Sequence, residues 1–346
     1  MNRREFGFGA GALLAAPAIL GVKGAFAQEQ VRWSYIGIQP FTQPFVAEIL
    51  KGFDRITERT EGRFVVERSN IRETPYTASE GLSIIRDDLA DFMEWYPGYV
   101  TNTYPALAGP ELPFITPEFG PIEIGVAAVN RAWDSASVKA VRDEVFAAHG
   151  VVAGTRLVWE PISIWMNGDF PDPTDLQNSA VRANTREAGD LINATNGVAQ
   201  FIPITDVYPA LQRNSVQGIS GSAAGVMTYK LNEVMKNGII TNCQFTTATF
   251  LVRKKALDAL PADLREIYDE EMAAVQETVS SLTAPAEAAF IQQAKDAGLN
   301  VRDVTPEEYA KLRDIAEKNV WSMWKDRVGA DGDKLLAEVQ AAISAA

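Results

Sequence analysis

The 346-residue sequence contains very few of the side chains on which catalysis and metal binding usually depend. Its single histidine is His149, and its single cysteine is Cys243. A nucleophile activated by imidazole would have to use His149, which ends a predicted helix and is better explained by a contact with the negative end of that helix. Clustered His and Cys sites for zinc or iron are excluded by number, and the sequence has no phosphate loop or dinucleotide-binding glycine motif. These features argue against an enzyme and predict no cofactor.

Carboxylates are abundant, but their spacing is not that of a metal site. Aspartates cluster at residues 87–91 and again at residues 169–175. Neither cluster has the glycine and the terminal glutamate of a calcium-binding loop, so we interpret both as solvated loops or helix ends and predict no metal. An acid pair of the glycosidase type stays open at this point. Cys243 cannot form an intrachain disulfide, and a buried apolar position is its expected role.

One arginine stands where an arginine is unusual. Arg182 lies between Val181 and Ala183 in a predicted strand. Its planar guanidinium suits a carboxylate, which it can hold through two parallel hydrogen bonds in a desolvated cleft. A structural ion pair is the alternative. Residue spacing alone does not separate the two roles.

Other candidates lie just after predicted strands. In a parallel sheet the carboxyl ends of the strands border the ligand crevice, so residues at these ends are candidate contacts. The polar and aromatic residues at these positions are Gln39, Phe41, Trp95, Tyr96 and Trp159. A place in the hydrophobic core is the alternative for the two tryptophans.

The elements that must position these residues alternate between strands and helices. Val31 to Ile38, Phe64 to Glu67 and Asp91 to Trp95 have the composition of strands, and helices are predicted at Phe45 to Thr60 and Ala78 to Asp88. This order is typical of a parallel α/β sheet. Two more helices, over 121–133 and 137–148, precede a long strand-like run.

The second half of the chain repeats this order. Strands are predicted at residues 180–183, 199–202 and 216–220, with helices at 186–195 and at 206–214, the latter with Thr205 as its N-cap. Two long β-rich runs, 151–159 and 238–252, are interpreted as crossover strands that form a hinge between two lobes. A strongly helical segment begins at Pro261.

We therefore predict an α/β, two-lobed fold of the periplasmic-binding-protein type (type II-like), with hinge strands and a long helix that spans both lobes. The predicted first lobe comprises residues 28–153 and about 243–283. The second comprises 154–242 and part of 284–346, together with the C-terminal helices. Val320, Trp321 and Trp324 could serve the chain's own core or a partner, and the first is favoured. Monomer and homodimer both stay open.

The N-terminus has the features of an export signal. Arg3 and Arg4 precede an uncharged run over residues 6–22, and Ala25-Phe26-Ala27 forms a small-x-small cleavage pattern. The paired arginines favour the twin-arginine export route. An uncleaved anchor is the alternative, but 17 residues rich in Gly and Ala are few for a bilayer. The sequence thus predicts a signal peptide over residues 1–27 and a periplasmic protein, and its formal charge of −13 predicts no binding to nucleic acid.

Several segments resemble one family of binding proteins. Thr205 to Gly218, which reads TDVYPALQRNSVQG, is similar to the most recognisable stretch of the solute-binding subunits of tripartite ATP-independent periplasmic (TRAP) transporters, dicarboxylate type. Gly109 to Phe114, Leu176 to Arg182 and Leu260 to Leu264 are similar to further family segments in the same order. The resemblance implies capture of one small organic acid by hinge closure. It also implies delivery of the ligand to membrane subunits that are coupled to sodium.

The resemblance also implies roles for particular residues. The family arginine that pairs with the ligand carboxylate corresponds to Arg182. A position that is often aromatic in the family is Ile204 here, and a polar ligand contact falls on Gly221, next to Ser220. The second arginine of many members has no match in the segment containing Trp159. These departures favour a monocarboxylate with an apolar or aromatic-contacting body over a sialic acid or simple dicarboxylate. A periplasmic cofactor- or metal-dependent enzyme, and a binding protein that serves a sensor, are the alternatives.

Overall fold

A computed structural model describes residues 30–116, 120–169 and 172–345, so the predicted signal peptide lies outside the described residues. Within them the strands are β1 (Val31–Gly37), β2 (Phe64–Asn70), β3 (Phe92–Trp95), β4 (Val151–Val158), β5 (Ile162–Met166), β6 (Ala180–Ala183), β7 (Val198–Phe201), β8 (Gly218–Gly221), β9 (Asn237–Gln244), β10 (Thr247–Arg253) and β11 (Asn300–Asp303).

The longer helices cover the sheets. They are α1 (Pro44–Arg59), α2 (Gly81–Arg86), α3 (Ile122–Asp134), α4 (Ala136–Ala148), α5 (Arg186–Ala194), α6 (Ile204–Gln212), α7 (Ala223–Thr228), α8 (Lys254–Asp258), α9 (Ala262–Asp296), α10 (Pro306–Ile315), α11 (Ser322–Val328) and α12 (Gly332–Ser344). Among the described helices, none combines the length and the apolar composition that crossing a bilayer requires.

Two sheets form the two lobes. The first has the strand order β2-β1-β3-β10-β4, and the second has the order β11-β9-β5-β8-β6-β7. The predicted β1, β2 and β3 strands pair in parallel, and so do β6, β7 and β8. Both sheets are mixed, because β10 runs antiparallel to β3 and β4, and β5 runs antiparallel to β8 and β9.

The chain passes between the lobes at two points between strands. Residues 159–161 join β4 of the first sheet to β5 of the second, and residues 245–246 join β9 back to β10. The predicted single strand over 238–252 is therefore two strands in different sheets. In the structure residues 154–158 belong to the first sheet, and the return to that sheet follows Gln244. The two short passages form the expected hinge region.

Helix α1 begins where its sequence predicts. The Gln43 side chain accepts a hydrogen bond from the Phe45 backbone N–H at 3.0 Å, and Pro44 occupies the first helical position. The apolar face predicted from the 3.6-residue period is buried. Helix α6 begins earlier than predicted, at Ile204 with Pro203 as its N-cap, so Thr205 lies inside the helix.

The predicted long helix is α9, which has 35 residues. It packs against α1 and β4 in the first lobe and against α7 in the second. Towards the second lobe, the Thr283 hydroxyl donates to the Val158 carbonyl at 2.6 Å, directly before the first passage. A single helix therefore supports both lobes.

The C-terminal helices return to the first lobe. Val320, Trp321 and Trp324 are buried in its core, as the favoured interpretation predicted. The two indole N–H groups donate to the backbone carbonyls of Pro113 at 2.9 Å and Pro105 at 2.7 Å. These hydrogen bonds make the end of the chain part of the first-lobe fold.

His149 and Cys243, the single histidine and the single cysteine, both occupy positions within the packed structure. His149 follows α4, and its Nδ1 donates to the Val145 carbonyl at 2.8 Å. Cys243 is buried, and burial raises the pKa of its thiol to about 11. Asp91 is not solvated as predicted, because it is buried, accepts from the Ser34 backbone N–H at 2.8 Å and pairs with Arg253.

Candidate functional site

A cavity of about 170 Å³ lies between the two sheets and is bordered by both passages. This volume is below the ~300–1,000 Å³ of pockets that take drug-sized ligands. Residues from the first lobe, the second lobe and the first passage line it together. The arrangement therefore fits one small molecule held between two lobes.

Six of the nine predicted site residues line this cavity: Gln39, Tyr96, Trp159, Arg182, Ile204 and Gly221. The other three, Phe41, Trp95 and Ser220, do not. Phe41 packs on Tyr35, with ring centroids 6.1 Å apart.

The alternation of side chains along each strand explains why Trp95 and Ser220 do not line the cavity. Successive side chains of a strand point to opposite faces. Tyr96 faces the cavity, so the neighbouring Trp95 points into the core, where its ring centre lies 5.4 Å from that of Phe146. Similarly, Ile219 and Gly221 line the cavity, and Ser220 between them does not.

Arg182 is held within β6, which lies between β7 and β8. Its Nε donates to the Ile202 carbonyl at 3.0 Å, which leaves the terminal guanidinium nitrogens without a partner among the described residues. No carboxylate of the described chain pairs with it, so the ion pair considered as its alternative role is not found. Burial lowers its pKa to about 10, and the group is charged at neutral pH.

A hydrogen-bonded chain crosses the cavity from a buried acid in β3. Glu94 accepts from the backbone N–H groups of Ile38 at 2.9 Å and Gln39 at 3.1 Å, and from the Tyr96 hydroxyl at 2.6 Å. The Gln39 amide donates to that hydroxyl at 3.1 Å and accepts from the Tyr229 hydroxyl at 3.1 Å. Because Tyr229 belongs to the second lobe, this chain connects the lobes across the cleft.

Trp159 and Glu160 occupy the first passage. The indole of Trp159 stacks on Tyr96, with centroids 5.8 Å apart and planes 17° apart, and its N–H has no hydrogen-bond partner within the described part of the chain. Glu160 also lines the cavity and is 1% exposed. Burial raises its pKa to about 7, and the adjacent Gln43 amide opposes this rise.

A third acid, Glu111, lines the cavity and accepts three hydrogen bonds through one oxygen. Its Oε1 accepts from the Thr247 backbone N–H at 2.9 Å, the Thr247 hydroxyl at 2.5 Å and the Trp133 indole at 3.2 Å. Burial nevertheless raises its pKa to about 8. Glu111 therefore fixes the start of β10, directly after the second passage.

Sequence reasoning missed Glu94, Glu111, Glu160, Tyr99 and Tyr229. The signal for Glu94 was a lone acid in an apolar strand, and the signal for Glu160 was an acid in the segment where the second arginine of the resembled family has no match. Tyr229 follows a short helix and carried no local signal. Across the described residues, no group of three or more His, Cys, Asp or Glu side chains is placed to hold a metal ion.

A two-lobed α/β fold, with a small cavity between the lobes that contains an arginine without an ion-pair partner among the described residues, is typical of a solute-binding protein. The family model for "Bacterial extracellular solute-binding protein, family 7" (DctP) matches residues 42–326, and the chain belongs to this family. Membership confirms the predicted recognition and the expected location outside the cytoplasm.

Characterised relatives match only part of the chain. The C4-dicarboxylate-binding periplasmic protein DctP of Rhodobacter capsulatus is 30% identical over 152 residues, which is 44% of each chain. A solute-binding protein of Albidiferax ferrireducens is 21% identical over 194 residues, or 55% of this chain and 57% of that protein. The matched segments thus span less than two thirds of these relatives.

Solved structures match nearly the whole fold. DctP7 of Bordetella pertussis, an extracytoplasmic solute receptor binding pyroglutamic acid, has a TM-score of 0.79 at 16% identity and covers 90% of this chain and 99% of its own. A TRAP periplasmic solute-binding protein of Shewanella oneidensis with bound succinate has a TM-score of 0.79 at 18% identity, covering 91% and 100%. These similarities confirm the predicted two-lobed fold.

Proposed function

We propose that the protein is the extracytoplasmic solute-binding subunit of a TRAP transporter. In this role it captures a small organic acid between its lobes and delivers it to sodium-coupled membrane subunits. The observation that carries the proposal is Arg182, a largely buried cation in the cavity whose terminal nitrogens have no hydrogen-bond partner among the described residues.

The energetics of burial support a carboxylate ligand. An ionised group removed from water is costly unless an opposite charge or hydrogen bonds compensate for the lost hydration. Arg182 keeps its Nε on the Ile202 carbonyl and presents the rest of its guanidinium to the cavity. A ligand carboxylate would supply the missing charge through paired hydrogen bonds.

The similar proteins support the same ligand class. Pyroglutamate and succinate, bound in the two structures above, are both carboxylates, and a similar protein of Sulfitobacter sp. NAS-14.1 holds β-D-galacturonate. The ligands differ in size and in their second functional group. We therefore propose that the ligand of this protein shares their carboxylate group, and we transfer no other part of their chemical structure.

We further propose that binding occurs without turnover of the ligand. Two polar groups of the cavity that could act as base or nucleophile, Glu111 and Ser222, have structural hydrogen bonds. Glu111 accepts three donors, as described above, and the Ser222 hydroxyl accepts from the Gly225 backbone N–H at 3.1 Å as the N-cap of α7. These bonds favour a rigid binding cavity.

The first test is replacement of Arg182 by alanine. A thermal-shift screen of organic acids identifies ligands, which raise the melting temperature because they bind the folded state. For each ligand, Arg182→Ala should weaken binding by at least about 100-fold, since a charge-assisted pair of hydrogen bonds is lost. Isothermal titration calorimetry measures the change.

Arg213→Ala is the matched control, because Arg213 is an exposed arginine of the same lobe outside the cavity. It should leave the affinity unchanged. Wild-type affinity in the Arg182 variant would refute the assignment of the anchor. Failure of every carboxylate to bind the wild-type protein would refute the proposed function itself.

A further inference from the structure

The cavity contains a second ionisable group with unused hydrogen-bonding capacity. Glu160 lines it from the first passage, and although the Gln43 amide lies against its carboxyl, its buried Oε1 has no hydrogen-bond partner among the described residues. No Lys or Arg in the described part of the chain interacts with this carboxyl. Like Arg182, Glu160 has unused hydrogen-bonding capacity inside the cavity, but it needs a donor where Arg182 needs an acceptor.

A neighbouring acid supplies no cation for Glu160. Glu287 of α9 is fully buried, and its carboxyl lies against the backbone N–H groups of Ala223, which is 3.4 Å from Oε1, and of Ala224. Among the described residues its Oε2 has no hydrogen-bond partner, and the charge of Glu160 adds to burial in raising its pKa. Glu287 does not belong to the described residues that line the cavity, so Glu160 is the acid that a ligand would meet on this side.

Resting on the proposed carboxylate-binding function, we propose that Glu160 is a specificity-determining residue that accepts a hydrogen bond from a nitrogen-borne N–H of the ligand. The ligand class is then a small monocarboxylate whose second functional group is an amide, lactam or ammonium N–H. Arg182 holds its carboxylate, and Glu160 holds its N–H group.

The chemistry of the Glu160 carboxylate selects an N–H group over an ester oxygen. An amide or ammonium nitrogen donates a hydrogen bond, whereas an ester oxygen has only lone pairs to present to the carboxylate. A second carboxylate at the same place would be repelled by the Glu160 carboxylate. Glu160 therefore disfavours dicarboxylates while it favours N–H donors.

Ligand pairs that differ in one atom test this proposal. Each pair compares an N–H compound with its ester isostere: pyroglutamate with 5-oxotetrahydrofuran-2-carboxylate, 6-oxopiperidine-2-carboxylate with its lactone, and N-acetylglycine with acetoxyacetate. Calorimetry is done at pH 8, above the pKa of about 7 of Glu160. In at least one pair the N–H compound should bind about 10–100-fold more tightly, because the ester leaves a buried carboxylate unpaired. Proline, included as an ammonium acid, distinguishes a charged donor from a neutral one.

Glu160→Gln should reduce this ratio to within about threefold, because the glutamine amide can turn its NH₂ towards an ester oxygen. Glu266→Gln on the exposed face of α9 is the matched control and should keep the ratio. Circular dichroism melting verifies that each variant is folded. If Glu160→Gln does not fold, the wild-type ratios still decide the question.

The outcomes separate this inference from the proposed function. Wild-type protein that binds succinate or an ester as tightly as the N–H compounds, while Arg182→Ala binds none, would overturn the role of Glu160 and leave carboxylate capture intact. An unchanged ratio in Glu160→Gln would also overturn it. Wild-type protein that binds no acid would overturn both proposals.

Discussion

At the residue scale, the cleft is notable for acids that are buried without cations. Glu94, Glu111, Glu160 and Glu287 are all buried, and burial is the largest cause of the raised pKa of each. Backbone N–H and hydroxyl donors partly compensate for Glu94 and Glu111. Glu160 and Glu287 have fewer donors, and Glu160, which lines the cavity, is the acid most sensitive to what the cavity contains.

These acids predict a pH-dependent stability. A carboxyl whose pKa rises on folding holds its proton more tightly in the folded state, so the stability it contributes is complete below about pH 4 and is lost as the pH rises through its folded pKa. The folded pKa values are about 7 for Glu160 and about 8 for Glu111 and Glu287. The melting temperature of the ligand-free protein should therefore fall between pH 5 and pH 8.

Differential scanning calorimetry across this pH range tests the prediction. Glu287→Gln should make the dependence shallower, whereas Glu266→Gln should not change it. A melting temperature that is constant or rises from pH 5 to pH 8 would show that these acids do not hold their protons more tightly in the folded state.

At the element scale, the sequence predicts which segments form helices and strands better than it predicts which face a residue occupies. The apolar spacing of α1 and the strand composition of β1 were sufficient to place both elements. Trp95 was assigned to the cavity wrongly, because a shift of one residue reverses the face of a strand and the sequence does not show where the cavity lies. The run over 238–252 looks continuous because both of its strands are buried, and the change of sheet at Phe245 and Thr246 depends on distant partners.

The same limit applies to the site. Arg182 could be predicted because a charge inside a strand is locally unusual. Tyr229 could not, since its role depends on Gln39, which lies 190 residues away and in the other lobe. Residues that act through long-range contacts leave no pattern within their own segment.

One link between elements gives a stability prediction. Arg327 of α11 donates to Asp190 at 2.8 Å and to Glu187 at 2.9 Å, and thereby joins the C-terminal helices to α5 of the second lobe. Both acids are buried. Arg327→Ala should lower the free energy of unfolding by roughly 3 kcal/mol, because it leaves buried charge without its partner.

Urea denaturation measures this loss, and Arg265→Ala is the control. Arg265 pairs with Asp269 on the exposed face of α9, where loss of the ion pair should cost less than about 0.5 kcal/mol. Equal effects of the two substitutions would show that the link from α11 to α5 is no stronger than a surface ion pair.

At the scale of the whole molecule, two short passages, the long helix α9 and the link from α11 to α5 connect the lobes. Hinge closure requires contacts that form between the lobes only when the cleft is shut. We expect the hydrogen bond from Tyr229 to Gln39 to be such a contact, because its partners lie on opposite sides of the cavity and the bond is 3.1 Å long. It also joins the second lobe to the Glu94 network through the Gln39 side chain.

Removing this hydrogen bond should therefore speed up opening of the closed complex. Tyr229→Phe deletes only the hydroxyl, and a net loss of about 0.5–1.5 kcal/mol corresponds to an affinity about 2–10-fold weaker. The change should be in the dissociation rate, measured by stopped-flow fluorescence of the cleft tryptophan, and should be similar for every ligand because it concerns the closed state itself. Tyr208→Phe is the matched control, since that hydroxyl donates to Glu233 within the second lobe at 2.8 Å and does not cross the cleft. An effect confined to one ligand would show that Tyr229 recognises the ligand instead of holding the lobes together.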